Sequence, residues 1–166
     1  TGTVASGSAS ITIAASGLQA LTDGTSYPLS VDVNDAAGNA ATQHTSTVFA
    51  VDRIAPTIDA VSADWGSVLN STEDNSDGTV SVTTSGAEDG QQVTVGLNGK
   101  SYTGTVASDS ASITIAAADL QALSDGTTYP LSVDVSDAAG NPATQHTSTV
   151  FAVDTSAPTI DAVSAD

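Results

Sequence analysis

The sequence lacks several residue types and is poor in others. Its 166 residues include no Cys and no Met, and aromatic residues make up only 4% of the chain. The absence of Cys excludes a disulfide framework. No apolar run approaches the length needed to span a bilayer, and we expect no signal peptide in this stretch, because it is predicted to be an internal piece of a longer chain. The hydrophobic residues, 39% of the chain, are mostly Ala, Val, Leu and Ile, which favours a narrow β-sandwich over a large globule.

Basic residues are also scarce. Arg53 and Lys100 are outnumbered by 19 acidic residues, most of them Asp, and the formal net charge is −17. A surface of this charge repels nucleic acid and anionic lipid, so we expect neither a nucleic-acid partner nor membrane insertion. Two explanations of the acidity stay open. It keeps a protein soluble outside the cell, or it binds divalent cations, since Asp in loops is a usual source of hard oxygen ligands.

The chain does have an extensive internal repeat. Residues 1–64 recur at 103–166 without gaps, and because nine of the 64 positions differ, 55 are identical. A period near 100 residues is the size of one small β domain and too long for a solenoid repeat. We therefore predict a piece of a tandem array, which multiplies length or valency and disfavours an enzyme built around one pocket. Its predicted parts are the C-terminal part of one repeat with its linker, a complete repeat and the first strand of the next, at 1–54, 55–154 and 155–166.

Alternating apolar and polar residues predict an all-β fold for the complete repeat. Helical spacing occurs only at 117–123 and predicts a single turn. The segment Asp125–Tyr129 looks like the tyrosine corner of immunoglobulin-like domains, with an ordinary turn before a core Tyr as the alternative. The sequence thus predicts a seven-stranded immunoglobulin-like β-sandwich, with strands at 57–61, 79–84, 92–97, 101–106, 112–116, 129–135 and 144–153.

An odd number of antiparallel strands places the two chain ends of each domain at opposite poles, so tandem copies are expected to form a rod. The turns after the second, fourth and sixth strands then lie together where the chain comes in. We call this end of the domain the N-terminal pole and define it by three loops, 85–91, 108–110 and 136–142.

Acidic residues from separate segments are expected to crowd this pole. Two like charges 4 Å apart repel by about 1 kcal/mol in water, and a Ca²⁺ ion, which takes six to eight oxygens, would remove that repulsion. The alternative is that Asp, Asn and Gly serve turn chemistry there. The sequence predicts a Ca²⁺ site formed by the linker residue Asp52 and the loop residues Glu88, Asp89, Asp137 and Asn141.

A second acidic segment, 73–78, is similar to the front half of an EF-hand loop. Its twelfth position, which is normally a bidentate Glu, is Thr84, and a solvated acidic loop is the interpretation we adopt. Trp65 is expected in the core, with presentation to a sugar as the alternative.

Four motifs in this order resemble the immunoglobulin-like repeats of giant bacterial surface adhesins, in particular the extender domains of RTX-type adhesins. The motifs are VDTSAPT at 153–159, GAEDGQ at 86–91, DGTTY at 125–129 and DAAGN at 137–141. The resemblance implies an extracellular position on the bacterial surface, projection of a distal ligand-binding domain, and Ca²⁺ that stiffens the linkers. It differs at the first junction, where Arg53-Ile54 replaces Thr155-Ser156, and in lacking Gly-rich nonapeptide repeats.

These observations favour a structural stalk whose partners are neighbouring repeats of the same chain. A carbohydrate-binding module is the alternative and would need an exposed aromatic platform, for which Trp65, Tyr102 and Tyr129 are the candidates. We expect no enzymatic activity, because so small a sandwich has no room for a substrate pocket. Residues 1–52 lack the first three strands of a repeat, and we expect them to be ordered only by association with the same segment of another molecule.

Overall fold

The computed structural model describes residues 1–164, apart from the side chains at 46, 47 and 148. The chain divides into two compact units, Thr1–Arg53 and Ile54–Asp166. In the first unit, helix α1 spans Ala15–Gln19. It is followed by an antiparallel pair of strands, β1 (Ser26–Val31) and β2 (His44–Ala50).

The second unit is a sandwich of two sheets with a short helix, α2, at Ala117–Leu120 and one turn of 3-10 helix at Glu73–Asn75. One sheet has the order β3-β5-β8 and the other the order β4-β10-β9-β6-β7. The strands are β3 Thr57–Ala63, β4 Val68–Asn70, β5 Gly78–Ser85, β6 Gln92–Leu97, β7 Lys100–Thr105, β8 Ser110–Ile115, β9 Thr128–Val135 and β10 His146–Asp154.

The predicted all-β sandwich is confirmed, and so is the single helical turn. The structure adds one strand to the predicted seven. Strand β4 has three residues and pairs in parallel with the end of β10. It follows a turn at Gly66, whose φ is 69°. Three residues with one buried side chain, Leu69, give too short an alternation to recognise in the sequence.

The core lies between the two sheets and is built from the inward positions of the strands. In β5 the buried and exposed positions alternate strictly from Val80 to Ser85, with Val80 and Val82 inward. Complete burial of a Val, Leu or Ile side chain stabilises a fold by about 1.5–3 kcal/mol. Trp65 is also buried, as predicted, and packs edge-on against Phe151 with ring centroids 5.2 Å apart.

The tyrosine corner is present in both units. The hydroxyl oxygen of Tyr129 accepts a hydrogen bond from the backbone N–H of Ser124 at 2.9 Å. In the first unit the hydroxyl oxygen of Tyr27 accepts one from the backbone N–H of Thr22 at 2.7 Å. Each bond joins the start of a strand to the turn that precedes it, and this is the arrangement typical of immunoglobulin-like domains.

Residues 155–164 have no regular secondary structure. In the complete repeat the first strand pairs with the second long strand, as β3 does with β5, and residues 155–164 make no such pairing. The predicted first strand at 155–166 therefore stays a prediction, and its last two residues, 165 and 166, lie outside the described residues.

Candidate metal site at the N-terminal pole

Two of the three loops of the N-terminal pole are held side by side by backbone hydrogen bonds to the residues that flank them. The N–H of Gly90 donates to the carbonyl oxygen of Val106 at 2.9 Å, and the N–H of Val106 donates to the carbonyl oxygen of Gln91 at 2.9 Å. The N–H of Thr84 donates to the carbonyl oxygen of Asp109, also at 2.9 Å. These bonds fix loop 85–91 beside loop 108–110, as the strand order predicts.

Asp137 organises the third loop from within. Its carboxylate is almost fully buried and accepts hydrogen bonds from the backbone N–H of Asn141 at 2.7 Å and from its side-chain amide at 2.8 Å. Burial raises the pKa of the Asp137 carboxyl, but the bonds from Asn141 and from the backbone of the same loop outweigh it and hold the pKa below its ordinary value. The loop therefore carries a fixed negative charge at its base.

Glu88 connects the first loop to the third. Its Oε2 accepts a hydrogen bond from the backbone N–H of Ala138, the residue after Asp137, at 2.8 Å. Asp89 instead contacts the second loop, where its Oδ1 accepts from the N–H of Ser108 at 2.7 Å. The structure thus brings Glu88 and the Asp137 loop together, whereas the Asp89 side chain binds a different turn.

Asp52, the fifth predicted ligand, belongs to the first unit and is exposed. Among residues 1–164, no three Asp, Glu or His side chains are grouped closely enough to form a metal site by themselves. The loop residues nevertheless suit a hard cation. Each carboxylate oxygen has two lone-pair directions, so accepting one backbone N–H leaves a carboxylate able to bind an ion as well.

Three solved structures similar to the chain each share 35% sequence identity with it. The first is of a 1.5-MDa bacterial ice-binding adhesin studied for its retention on a host cell surface. It matches 79% of this chain, which spans 42% of it, with a TM-score of 0.43. The second is of a Ca²⁺-stabilized adhesin that helps an Antarctic bacterium reach out and bind ice. It matches 81% of this chain, which spans 33% of it, with a TM-score of 0.47.

The third is a bacterial immunoglobulin-like domain from the M. primoryensis ice-binding adhesin. It matches 60% of this chain, which covers 95% of the domain, with a TM-score of 0.41. The chain belongs to the bacterial immunoglobulin-like domains of surface adhesins. Since all three TM-scores are below 0.5, this assignment rests on sequence identity over nearly the whole domain. The chain spans less than half the length of the first two structures. No protein-family model and no curated protein sequence matches it.

The immunoglobulin-like domain also fixes its outgoing linker, through a residue that the sequence analysis did not single out. Asp125 Oδ1 accepts a hydrogen bond from the N–H of Thr155 at 2.7 Å, and its Oδ2 accepts one from the hydroxyl of Ser156 at 2.6 Å. The Ser156 bond, followed by the Thr155 bond, lowers the pKa of Asp125. In the sequence, the signal for this role of Asp125 is the Asp-Gly turn of the tyrosine corner. The residues that Asp125 binds, Thr155 and Ser156, lie 30 and 31 residues further along the chain.

The first unit makes the same connection with different chemistry. Asp23, the copy of Asp125, accepts a hydrogen bond from the N–H of Arg53 at 2.7 Å. The Arg53 guanidinium donates to the carbonyl oxygens of Leu21 and Leu18 at 2.9 and 2.8 Å. The Arg53 cation, which the sequence comparison placed at this junction, is thus held by carbonyl groups of its own unit.

The acidic segment 73–78 also binds backbone. Glu73 Oε2 accepts from the N–H of Asn70 at 3.1 Å, and Asp77 Oδ1 accepts from the N–H of Ala117 at 2.9 Å, at the first residue of α2. These bonds join the segment to β4 and to the helix. They give its carboxylates a structural role in the immunoglobulin-like domain.

The aromatic side chains of the domain face inward or are partnered. Trp65 is buried, Tyr129 packs near Phe151, and Tyr102 donates its hydroxyl to Asp119 at 2.8 Å. Burial and this bond raise the pKa of Tyr102 to about 12. The three residues named as candidates for a sugar platform therefore do not form one in the described part of the chain. None of its helices has the length and hydropathy to cross a membrane.

Proposed function

We propose that the chain is a segment of an extracellular adhesin stalk whose repeated domains project a distal binding domain from the bacterial surface. The observation that supports this most is the placement of the chain ends in the second unit. The same cavity is lined by residues at and just before the start of β3 (Pro56, Thr57 and Ile58) and by residues at and just before the start of β10 (Thr144, Gln145 and His146). The chain therefore comes in where β10 begins.

It leaves at the other end of that strand. β10 has nine residues, and at about 3.3 Å per residue it extends roughly 30 Å. When the two termini of a domain lie at opposite poles, each further copy lengthens a tandem array by the length of one domain. In contrast, an enzyme or a carbohydrate-binding module gains nothing from this placement. The adhesin relatives support a non-enzymatic role outside the cell.

We further propose that Ca²⁺ binds at the N-terminal pole and stiffens the junction. Glu88, Asp89, Asp137 and Asn141 would supply oxygens from one domain, and Asp52 from the linker of the preceding one. The ion would neutralise the acidic groups and couple two domains that are otherwise joined by a short backbone. Support comes from the bond between Glu88 and the Asp137 loop and from the relative that is a Ca²⁺-stabilized adhesin.

Small-angle X-ray scattering on a polypeptide with four copies of residues 55–156 tests both proposals. With Ca²⁺ we expect the scattering of a rod, whose maximum dimension is proportional to the number of domain copies. With EDTA we expect that dimension to shrink or its distribution to broaden, while the circular dichroism of the sandwich is retained. A compact particle in both conditions would contradict the stalk, and an extended profile that EDTA leaves unchanged would contradict the calcium junction.

The partners in this proposal are neighbouring repeats of the same chain. Association of residues 1–52 with the same segment of another molecule stays a prediction of the sequence. Sedimentation equilibrium on the full chain tests it, because a monomer with residues 1–52 protected from hydrogen exchange would contradict it.

A further inference from the structure

One of the six Asn residues has the sequence context of an acceptor for N-linked sugar. Asn70 is followed by Ser71 and Thr72 and fits the pattern Asn-x-Ser/Thr, in which x is any residue except Pro. None of the other five Asn residues has Ser or Thr two positions later. Because this short pattern also occurs by chance in a chain rich in Ser and Thr, its use depends on the structure around Asn70.

The motif is exposed at the edge of a sheet. Asn70 is the last residue of β4, the edge strand beside β10, and Ser71 and Thr72 belong to the turn that follows. All three residues are exposed. Asn70 pairs in register with Asp154, the last residue of β10. Asn70 therefore lies beside the start of the outgoing linker, on a surface that an enzyme can reach.

Hydrogen bonds hold the side-chain amide of Asn70 in one orientation. Its Oδ1 accepts from the backbone N–H of Thr72 at 2.9 Å and from that of Glu73 at 3.1 Å. The Glu73 carboxylate in turn accepts from the N–H of Asn70 at 3.1 Å, which is the reciprocal pattern of a capping box. Both partners of the amide are N–H donors, so the accepting atom is the oxygen, and Nδ2 is the arm turned away from them. Among the described residues none accepts a hydrogen bond from this nitrogen.

We propose that Nδ2 of Asn70 is an acceptor for an N-linked sugar, which a glycosyltransferase transfers from a glycosyl diphosphate. In this reaction Nδ2 attacks C1 of the sugar, the bond from C1 to the diphosphate oxygen breaks, and the diphosphate leaves with the bonding electron pair. Nδ2 gives one of its two protons to a base of the transferase. The product has a C1–N bond and keeps one N–H and the amide oxygen of Asn70. The donor is a nucleotide sugar or a lipid-linked sugar diphosphate, and both have the same kind of leaving group.

The structural role of Asn70 is compatible with this modification. A sugar on Nδ2 leaves Oδ1 able to accept from Thr72 and Glu73, so the turn after β4 keeps its hydrogen bonds. Thr72, whose hydroxyl the motif requires, is exposed, and this hydroxyl makes no hydrogen bond with the described residues. A transferase can therefore contact both groups without breaking a hydrogen bond of the domain.

Asn75 is an internal comparison in the same segment. It is exposed, but its Nδ2 donates to the carbonyl oxygen of Ser71 at 2.5 Å, and the residue two positions later is Asp77. Asn75 lacks both the motif and an unbonded nitrogen, so we expect no sugar there. If Asn70 only caps the turn, neither residue will carry a sugar.

The test treats the folded full chain with a transferase in two separate reactions. One reaction contains a soluble N-glycosyltransferase and UDP-glucose, and the other contains an oligosaccharyltransferase with its lipid-linked donor. We expect one glycan per chain, located on Asn70 by mass spectrometry of proteolytic peptides. The reaction that yields it identifies the source of the sugar. A synthetic peptide of residues 66–76 and the chain unfolded in urea are the unfolded references.

Matched variants test the motif and the cap separately. Thr72→Ala should abolish the transfer and Thr72→Ser should retain it, because only the second variant keeps a hydroxyl. Asn70→Asp should also abolish it, since a carboxylate has no acceptor nitrogen, although its oxygen still caps the turn. Asn75→Ala should be modified as the parent chain is. The urea unfolding midpoint, followed by Trp65 fluorescence, should be the same with and without the sugar, because the hydrogen bonds of Oδ1 are kept.

Four results would overturn the proposal. They are the absence of a sugar in both reactions, a sugar that persists in Thr72→Ala or Asn70→Asp, a sugar on Asn75, and transfer to the unfolded references but not to the folded chain.

Discussion

Residues 8–13 and 110–115 share the sequence SASITI, yet only the second copy is a β-strand. Ile113 and Ile115 are buried between sheets, and the strand forms a ladder with β5 from Ser110 to Ile115. The first copy has no β5 counterpart in its unit, and Ile11 and Ile13 are half exposed. The hexapeptide has the same local propensity in both places, so its structure here is decided by the strand it pairs with and by the face it packs against.

The tyrosine corner behaves differently in the same comparison. Its hydrogen bond is made in both units, at 2.7 Å to Tyr27 and at 2.9 Å to Tyr129. The atoms it joins are five residues apart, so the bond needs no partner from elsewhere in the fold. The tyrosine corner and the β1–β2 pair, whose partners lie within the first unit, form there, whereas the copy of β8, whose partner in the second unit is β5, does not form a strand.

The largest difference between the copies should appear on truncating one core position. Ile113→Ala should lower the free energy of unfolding of the second unit by about 3 kcal/mol, because it leaves a cavity in a closed core. Ile11→Ala should change it by about 0.5 kcal/mol or less. Urea unfolding followed by Trp65 fluorescence reports the second unit alone, since Trp65 is the single Trp. Equal losses from the two variants would mean that the first copy is buried as well.

A second comparison separates loop chemistry from metal binding. Asp35 and Asp137 make the same bonds to Asn39 and Asn141, but only the second unit has Glu88. Asp137→Ala should weaken Ca²⁺ binding by at least about tenfold, or 1.4 kcal/mol, whereas Asp35→Ala should leave it unchanged. Calorimetric titration of the full chain measures both.

The control for this titration is Asp134→Ala. Asp134 lies on the outward face of β9, where both of its oxygens accept from Gln145 at 2.8 Å. It should have no effect on Ca²⁺ affinity. A larger effect from Asp134 than from Asp137 would place the ion elsewhere in the domain.

The comparison also separates what the sequence could predict from what it could not. Strands with long alternation, such as β5 and β9, were predicted because their buried positions repeat every second residue. The three residues of β4 were missed, because their strand exists only through pairing with β10. At the N-terminal pole, strand order predicted that the loops meet. The sequence could not predict that Glu88 accepts a hydrogen bond from the N–H of Ala138 and Asp89 accepts one from the N–H of Ser108. These bonds depend on where the backbone N–H groups of distant loops point.

The pH dependence of stability should differ between the two Asp copies when Trp65 is the reporter. The pKa of Asp137 is lower in the folded chain than its ordinary value of 3.8. Its ionised form therefore stabilises the fold above that value, and this contribution is lost as the pH falls through the folded pKa. Asp137→Asn should reduce the acid loss of stability of the second unit, although Asp59, Asp119 and Asp125, whose pKa values are also lowered, retain part of it. Asp35→Asn should leave the loss of stability at low pH unchanged. If it reduced this loss as much as Asp137→Asn does, the two units would unfold together.

The smallest expected difference concerns the outgoing linkers. Asp125→Ala removes the acceptor of the Thr155 N–H and the Ser156 hydroxyl, and a hydrogen bond to a charged group is worth about 1.5 kcal/mol. Exchange of the Thr155 amide should therefore accelerate about tenfold. Asp23→Ala should accelerate exchange of the Arg53 amide by less, about threefold, because the guanidinium still binds the carbonyl oxygens of Leu18 and Leu21. Amide exchange measured by NMR on both variants decides this. If Arg53 exchanged as fast as Thr155, the guanidinium bonds would contribute nothing to the linker, and Asp would be the residue that holds it in both copies.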